Sequence, residues 1–407
     1  MPDYKGIEYL RNKLTMKKIR VETRYKFYEM KNHPRDFRIS TPPDLTYWES
    51  VLGWCAKAVD SLADRLSFRE FGNDVFDMNN IFLANNMDVL VDSAILGALI
   101  SSCDFIYITA DDTGFPQMRV IDGGHATGII DPITNMLKEG YAVIEFDDVD
   151  QPIVEGYFTP GYTAIYERGR LQNIFTNKAP YPLLVPIINR PDAVRPFGHS
   201  RISRACMSLV ESAARTVKRS EISAEFYSFP QRYVLGMEEN AEEDDSWDRW
   251  KAAMSAMLRI DKDEDGGHPV VGQFQQQSMT PHMEQLRMFA GAFAGETGLT
   301  LDDLGFPSQN PSSAEAIKAS HENLRLMARE AQKSFGIGLL NTGYLAACVR
   351  DDYTYLRRQV AETTLKWEPI FEPDASALTS IGDGVIKINQ ALPEYVDAEK
   401  MRALTGI

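Results

Sequence analysis

The sequence predicts an α+β fold that is predominantly helical, and three observations carry this reading. Long stretches repeat apolar residues every three or four positions, the spacing of an amphipathic helix. One block, residues 103–190, instead shows short β-branched and aromatic runs separated by turn signals. The composition is that of a folded chain: 407 residues, 44% hydrophobic and 25% charged, enough to bury a large core and divide into more than one domain.

Residues 1–35 read as a charged helix with Tyr9, Leu10, Leu14 and Ile19 at rough helical spacing. Lys17, Lys18 and Arg20 form a basic cluster expected on a solvated face. Pro34 and the Pro42-Pro43 pair end it. Trp48, Val51, Leu52, Cys55, Val59, Leu62 and Leu66 mark a second helix, with Asp44 or Thr46 as its cap. A third runs from about Asn79 to Ile100, with Leu83, Met87, Leu90, Val91, Ala94, Ile95 and Ala98 on one side. The β-rich runs are 105–109, 120–121, 141–146, 162–166 and 171–175, followed by a Pro-rich extended segment, 180–196.

Helix resumes at about Ser200, where Ile202, Cys206, Leu209, Val210, Ala213 and Val217 form one stripe. A helix over 200–228 would measure about 43 Å. Residues 229–278 look like an insertion. It opens with Arg232-Tyr233-Val234-Leu235, passes through an acidic run at 238–245 and a short helix at 246–259, and closes with a strand at 270–274. Another helix begins at Pro281, a residue suited to a first helical turn, and ends near Gly298. After a loop, Ser312-Ser313-Ala314-Glu315 supplies a capping-box pattern. The helix that follows reaches to Arg350, about 60 Å if unbroken, with Gly336 and Gly338 as bending points.

Several classes of function are disfavoured. The net charge of −15 argues against a protein that grips nucleic acid by its overall charge, though not against one that DNA merely passes. Cys55, Cys103, Cys206 and Cys348 are scattered, so free buried thiols are expected and a Cys-rich zinc site is not. The N-terminus lacks a signal-peptide pattern and the longest apolar run, 94–100, is too short to span a bilayer; a soluble protein made in a cytosol is expected. No phosphate-binding loop, G-x-S-x-G or H-E-x-x-H occurs. Asp261, Asp263 and Asp265 fit the first half of a calcium loop, but its twelfth position is Gly272 and Pro269 blocks an exit helix, so an acidic turn is the simpler reading and no metal is expected. The six histidines show no metal-ligand spacing and are expected to be solvent-exposed or hydrogen-bonded.

Local runs and the order of parts then point one way. Trp54 with Val59-Asp60-Ser61-Leu62-Ala63-Asp64-Arg65-Leu66, Pro182-Leu183-Leu184-Val185-Pro186 with Gly198-His199-Ser200-Arg201-Ile202, and Thr297-Gly298-Leu299 with Leu304-Gly305 are three such runs. Asn310-Pro311-Ser312-Ser313-Ala314-Glu315-Ala316-Ile317 is the most specific. Together they resemble the portal proteins of tailed bacteriophages, particularly those with long noncontractile tails, over roughly residues 20–405. The resemblance implies a portal-like fold with wing, stem, clip and tunnel loop. The wing would be 1–199, holding the β module 103–190. The stem helices would be 200–228 and 279–298, the clip 229–278 and the tunnel loop 299–311. A long wing helix would follow at 312–350, and 351–407 would form the C-terminal wing or base of the crown. The chain stops at Leu404-Thr405-Gly406-Ile407, where such proteins often continue into more helix.

The same resemblance implies a role: a twelve-copy ring at one capsid vertex through which double-stranded DNA is packaged and ejected. Its partners would be the packaging motor (terminase), the head–tail adaptor, and the major capsid and scaffolding proteins. No membrane, cofactor or catalytic residue is implied, and the location is the virion after assembly in the host cytoplasm. Asp302, Asp303, Gly305, Phe306, Ser308, Gln309 and Asn310 would belong to the tunnel loop; Arg215, Lys218 and Arg219 on the first stem helix would face the channel. Glu242, Asp245, Trp247, Trp250 and Arg259 would be the clip residues that meet partners. Such a ring would carry a formal charge of about −180, so DNA would adhere weakly and slide. The alternatives are another ring-forming head–tail connector, though such proteins are usually much shorter, and a soluble hydrolase using acidic residues, for which the usual motifs are missing.

Overall fold

The computed structural model describes residues 4–35, 47–149, 151–228, 232–235, 270–273, 278–307, 314–371 and 375–405. Among the described residues helix and strand are more evenly mixed than the sequence predicts, at 48% helical and 20% strand, so the fold is not predominantly helical. The reason is local. Strands also form where the sequence shows no clean alternation, inside the Pro-rich segment and in two short runs far apart in the chain.

Helix α1 (Ile7–Tyr28) buries Leu10, Leu14, Val21 and Phe27. Leu10 and Leu14 are buried as the spacing suggests, while Tyr9 and Ile19 lie on the exposed side. Helix α2 (Trp54–Ala63) begins only after Gly53, which leaves Trp48, Val51 and Leu52 outside it. Strand β1 (Phe68–Gly72) follows. The expected third helix is two helices, α3 (Met78–Ala84) and α4 (Met87–Ser101), bent by 86°. Asn85 and Asn86 make the break. Asn86 takes a left-handed conformation with φ 54°, which Asn tolerates better than most residues. The Asn85 amide donates to Pro116 O (3.0 Å) and accepts from the Met118 N–H (2.7 Å).

Eight strands come next: β2 (Cys103–Ala110), β3 (Pro116–Ile121), β4 (Ala126–Ile130), β5 (Leu137–Phe146), β6 (Pro152–Thr159), β7 (Tyr162–Glu167), β8 (Arg170–Thr176) and β9 (Leu184–Ile188). They form a three-stranded sheet in the order β3-β2-β9 and a five-stranded meander from β4 to β8, antiparallel throughout. Leu10 and Leu14 of α1 pack into a core with Tyr141, Val143, Tyr157 and Ala164 of the meander. Two buried carboxylates latch α1 there. Glu139 accepts the Lys5 and Gly6 N–H groups and the Tyr157 hydroxyl; Glu155 accepts the Tyr141 hydroxyl and both arms of Arg11, at 3.0 and 2.6 Å. Lys17 is not on a solvated face as expected: its ammonium is buried 5.2 Å from the Phe105 ring centroid and 5.6 Å from that of Phe197, a cation–π arrangement.

The remaining elements are α5 (Arg204–Ser228), β10 (Arg232–Leu235), β11 (Val270–Gln273), α6 (Thr280–Thr297), α7 (Ala314–Ser320), α8 (Glu322–Arg350), β12 (Thr364–Trp367), α9 (Ala375–Ala391) and α10 (Ala398–Thr405). β10 and β11 pair antiparallel, and β12 pairs with β1. The long helix is interrupted at His321, so its main rod is α8, 29 residues and about 44 Å. It runs through Gly336 and Gly338 without a break.

By contacts the chain divides into two compact units. The first holds Met1–Asn32, Gly53–Met207 and Ala294–Ile407; the second holds His33–Leu52 and Ser208–Phe293. All four cysteines are free and buried. Among the described residues no single helix is long and apolar enough to cross a membrane.

Candidate functional site

The expected stem and loop residues fall in different units. In the second unit, α5 buries Val210, Ala213, Ala214 and Ile222 on one side, and the Thr216 hydroxyl meets Gln285 Oε1 of α6 at 3.2 Å. Arg215, Lys218 and Arg219 lie within about one turn of α5 and line one pocket with Glu49, Ser50 and Pro34. Arg215 is engaged within its unit: its guanidinium donates to Arg35 O (3.3 Å) and Ser212 Oγ (2.8 Å) and lies 3.9 Å from Glu211. Lys218 is only 8% exposed. The three cations are thus brought together, but in this single chain the first two are folded against their own unit.

The loop is built in the first unit. α6 ends at Thr297, and Gly298 adopts φ 70° to turn the chain, a conformation that favours glycine. Residues Asp302–Leu304 make one 3₁₀ turn. Thr300 and Asp303 cap it reciprocally. Asp303 Oδ2 accepts the Thr300 N–H and hydroxyl, both at 2.9 Å, and the Asp303 N–H donates to Thr300 Oγ1 at 3.2 Å. Burial alone would push the Asp303 carboxyl up, but these bonds and His321 outweigh it and hold it below the usual range. Asp303 is therefore committed to the loop's own shape, while Asp302 is exposed. Gly305, at φ 88°, ends the turn, and the Phe306 N–H returns to Leu301 O at 3.0 Å. Ser308, Gln309 and Asn310 lie outside the described residues, as do Glu242, Asp245, Trp247, Trp250, Arg259 and the trio Asp261, Asp263 and Asp265. Among the described residues no group of three or more His, Cys, Asp or Glu is placed to hold a metal ion.

Arg201 anchors the root of this loop. Its guanidinium donates to Ala58 O of α2 (2.5 Å) and Thr297 O at the end of α6 (2.8 Å), and touches Met327 S of α8 at 3.5 Å. A cation at a helix C-terminus also meets the negative end of its dipole. Burial pushes this guanidinium down to about 10, still charged at neutral pH. Two residues escaped sequence reasoning here. Thr300 sits three before Asp303, a capping spacing legible in principle; His321 gives no local signal, because its partner is eighteen residues away.

No family model matches the sequence. Two curated proteins named portal protein, from Mycobacterium phage L5 and Mycobacterium phage D29, are each 24% identical to it over 329 residues, which span 76% of this chain and 67% of theirs. By sequence the chain is similar to these phage portal proteins. Among solved structures, it is similar to a chain in the neck of a native gene transfer agent particle computed with C12 symmetry, at 14% identity and a TM-score of 0.47 over 97% of this chain and 99% of that one. A chain in the neck of the empty particle computed with C6 symmetry gives 13% identity and a TM-score of 0.48 over 93% and 97%. Beside the portal relatives, Thr297-Gly298-Leu299 and Leu304-Gly305 gain a physical meaning: the first pair of motifs carries the Arg201 anchor and the turn out of α6, the second closes the capped 3₁₀ turn.

Proposed function

We propose that the chain is a portal ring subunit. Copies close into a ring at one capsid vertex, and the ring forms the channel for genome packaging and ejection. The observation that carries this reading is the 329-residue match to two portal proteins, which takes in 76% of the chain. The element order supports it: α5 and α6 bracket an insertion whose ends meet in the β10–β11 ladder, and a capped turn and a long helix follow. In this reading α5 and α6 are stem helices, residues 229–278 are the clip that docks the packaging motor and later the head–tail adaptor, and residues 299–311 narrow the bore. Arg215, Lys218 and Arg219, if repeated around a ring, would form belts of positive charge in an otherwise acidic assembly. The chain conducts DNA and turns over no substrate.

Native mass measurement of the purified full chain tests the assembly. A particle of twelve 45.9 kDa chains is expected. A mass that stays at one or two chains under all conditions would contradict it.

A further inference from the structure

One flank of α1 gathers cations that no carboxylate answers. The ammonium groups of Lys13 and Lys17 lie 4.9 and 5.6 Å from the Phe197 ring centroid, which seats the loop before Phe197 on this flank. Farther along the helix, Arg20 and Arg24 stand four residues apart, on the same side. The loop adds Arg195, whose N–H donates to Asp192 Oδ1 at 2.6 Å and whose Nη1 lies 3.3 Å from His199 Nδ1. The carboxylates nearby are used elsewhere. Asp192 Oδ2 lies 2.5 Å from His199 Nε2, Glu22 lies 3.9 Å from Lys18, and Glu29 lies 2.6 Å from Lys31. Among the described residues, Arg20, Arg24 and Arg195 have no carboxylate within ion-pair distance, and Arg24 Nε is buried without a hydrogen-bond partner. Burial, and then the like charges of Arg20 and Arg195, push the Arg24 guanidinium below its ordinary value. Beside these cations stand two bare apolar side chains, Met16 at 73% exposure and Val194 at 88%.

The turn between β5 and β6 has the opposite character. Glu145, Asp147 and Asp148 are exposed, and Val149 beside them is 75% exposed. Asp147 Oδ1 accepts the Val149 and Gln151 N–H groups at 2.9 and 2.7 Å, which fixes the turn. Arg168 lies alongside, its N–H bonded to Ile153 O at 2.8 Å, yet makes no ion pair with the turn. Among the described residues none of the three carboxylates has a cation within ion-pair distance. Both surfaces belong to the first unit, and within one chain they do not neutralise each other.

We propose that the two surfaces meet between copies: the Asp148–Val149 turn of one chain docks on the ridge of Met16, Arg20, Arg24 and Arg195 of a second copy. Guanidinium forks take carboxylates bidentately, and arginine and methionine are residue types enriched where proteins meet. A nucleic acid would answer the cations, but it has no use for Met16 and Val194 and no counterpart for the acidic turn. Because the two faces differ, the contact is head-to-tail, the kind that repeats into a ring or an open chain. It rests on the portal reading only for closure of that ring.

Charge swapping in the full-length protein tests it, read as the concentration dependence of native mass. Arg20→Glu/Arg195→Glu should weaken association by about ten-fold or more, because like charges then face each other. Glu145→Arg/Asp148→Arg should do the same, and the four changes together should restore association. A second readout needs no charge change: Met16→Cys mixed with Val149→Cys should yield a disulfide-linked dimer under diamide, since the four native cysteines are buried. Wild-type association in either double variant, no recovery in the fourfold variant, or no cross-link overturns the proposal. So does unchanged association in Arg20→Glu/Arg195→Glu with loss of binding to a short DNA duplex, which would assign the ridge to nucleic acid. A closed ring that survives both double variants sinks this interface alone; cross-linked open chains that never close sink the portal reading alone.

Discussion

Asp104, the second residue of β2, is 2% exposed, and its carboxyl is shaped into the fold. Oδ1 accepts the Ser101 hydroxyl at 2.8 Å and the Gly123 N–H at 2.9 Å. A Cβ on Gly97 would fall 1.8 Å from Oδ2, so only glycine leaves it room. Burial and the nearby Asp122 carboxylate push its pKa up to about 7 from the ordinary 3.8, against the smaller opposing pull of Ser101, Gly123 and Lys17. A raised folded pKa means the folded state holds this proton more tightly than the unfolded chain. Stability from Asp104 is therefore greatest at low pH and declines between about pH 4 and 7, by at most about 1.4 kcal/mol per pH unit. Asp104→Asn imitates the protonated acid and keeps both accepted hydrogen bonds. Urea midpoints for the two proteins should agree near pH 4.5 and diverge by pH 7.5 in favour of the variant; equal midpoints across that range contradict this account. Nothing in the sequence distinguishes Asp104 from a surface aspartate. Lys17 was misplaced for the same reason: three cations in four residues suggest a wet face, and only the rings of Phe105 and Phe197, far along the chain, show otherwise.

At the scale of elements, α8 shows that glycines at helical positions can serve close packing. Its Gly338 lies against β9, where an added Cβ would come within 2.7 Å of Ile187 Cδ1 and 3.2 Å of Pro186 O. Gly336 faces Leu365, with contacts of 3.3 Å and more to a flexible side chain. Gly338→Ala should destabilise the protein by about 1–3 kcal/mol through overpacking against main chain. Gly336→Ala should be neutral or stabilising by up to about 1 kcal/mol, because alanine is the better helix former. Thermal unfolding of the pair checks this, and equal losses at both sites would contradict the packing described. The stripe of α5 was legible because its apolar residues recur at helical spacing. β9 was hidden because Pro186 and its neighbours read as a proline-rich linker; it is tolerated as a strand since β9 is a sheet edge and pairs only with β2. The α3–α4 bend carried a sequence signal in Asn85-Asn86, but the continuing apolar spacing from Leu90 to Ala98 masks it. α2 was extended too far because Trp48, Val51 and Leu52 match the helical period by chance of spacing, while Gly53 marks the true start.

For the whole molecule, the local devices serve one proposed assembly. The Arg201 anchor, the Thr300–Asp303 cap and the His321 contact hold a loop at the end of α6, and in the proposed ring the chain's −15 charge would disfavour tight binding of DNA. The loop after α6 was partly legible, through Gly305, which ends its 3₁₀ turn. Its tie to the α7–α8 break was not, since it joins residues whose pairing depends on the tertiary fold. The most direct measurement is an image of the purified particle along its symmetry axis. The portal account expects a closed ring of copies around an open bore wide enough for duplex DNA; compact globules with no central opening in any assembly state would contradict it.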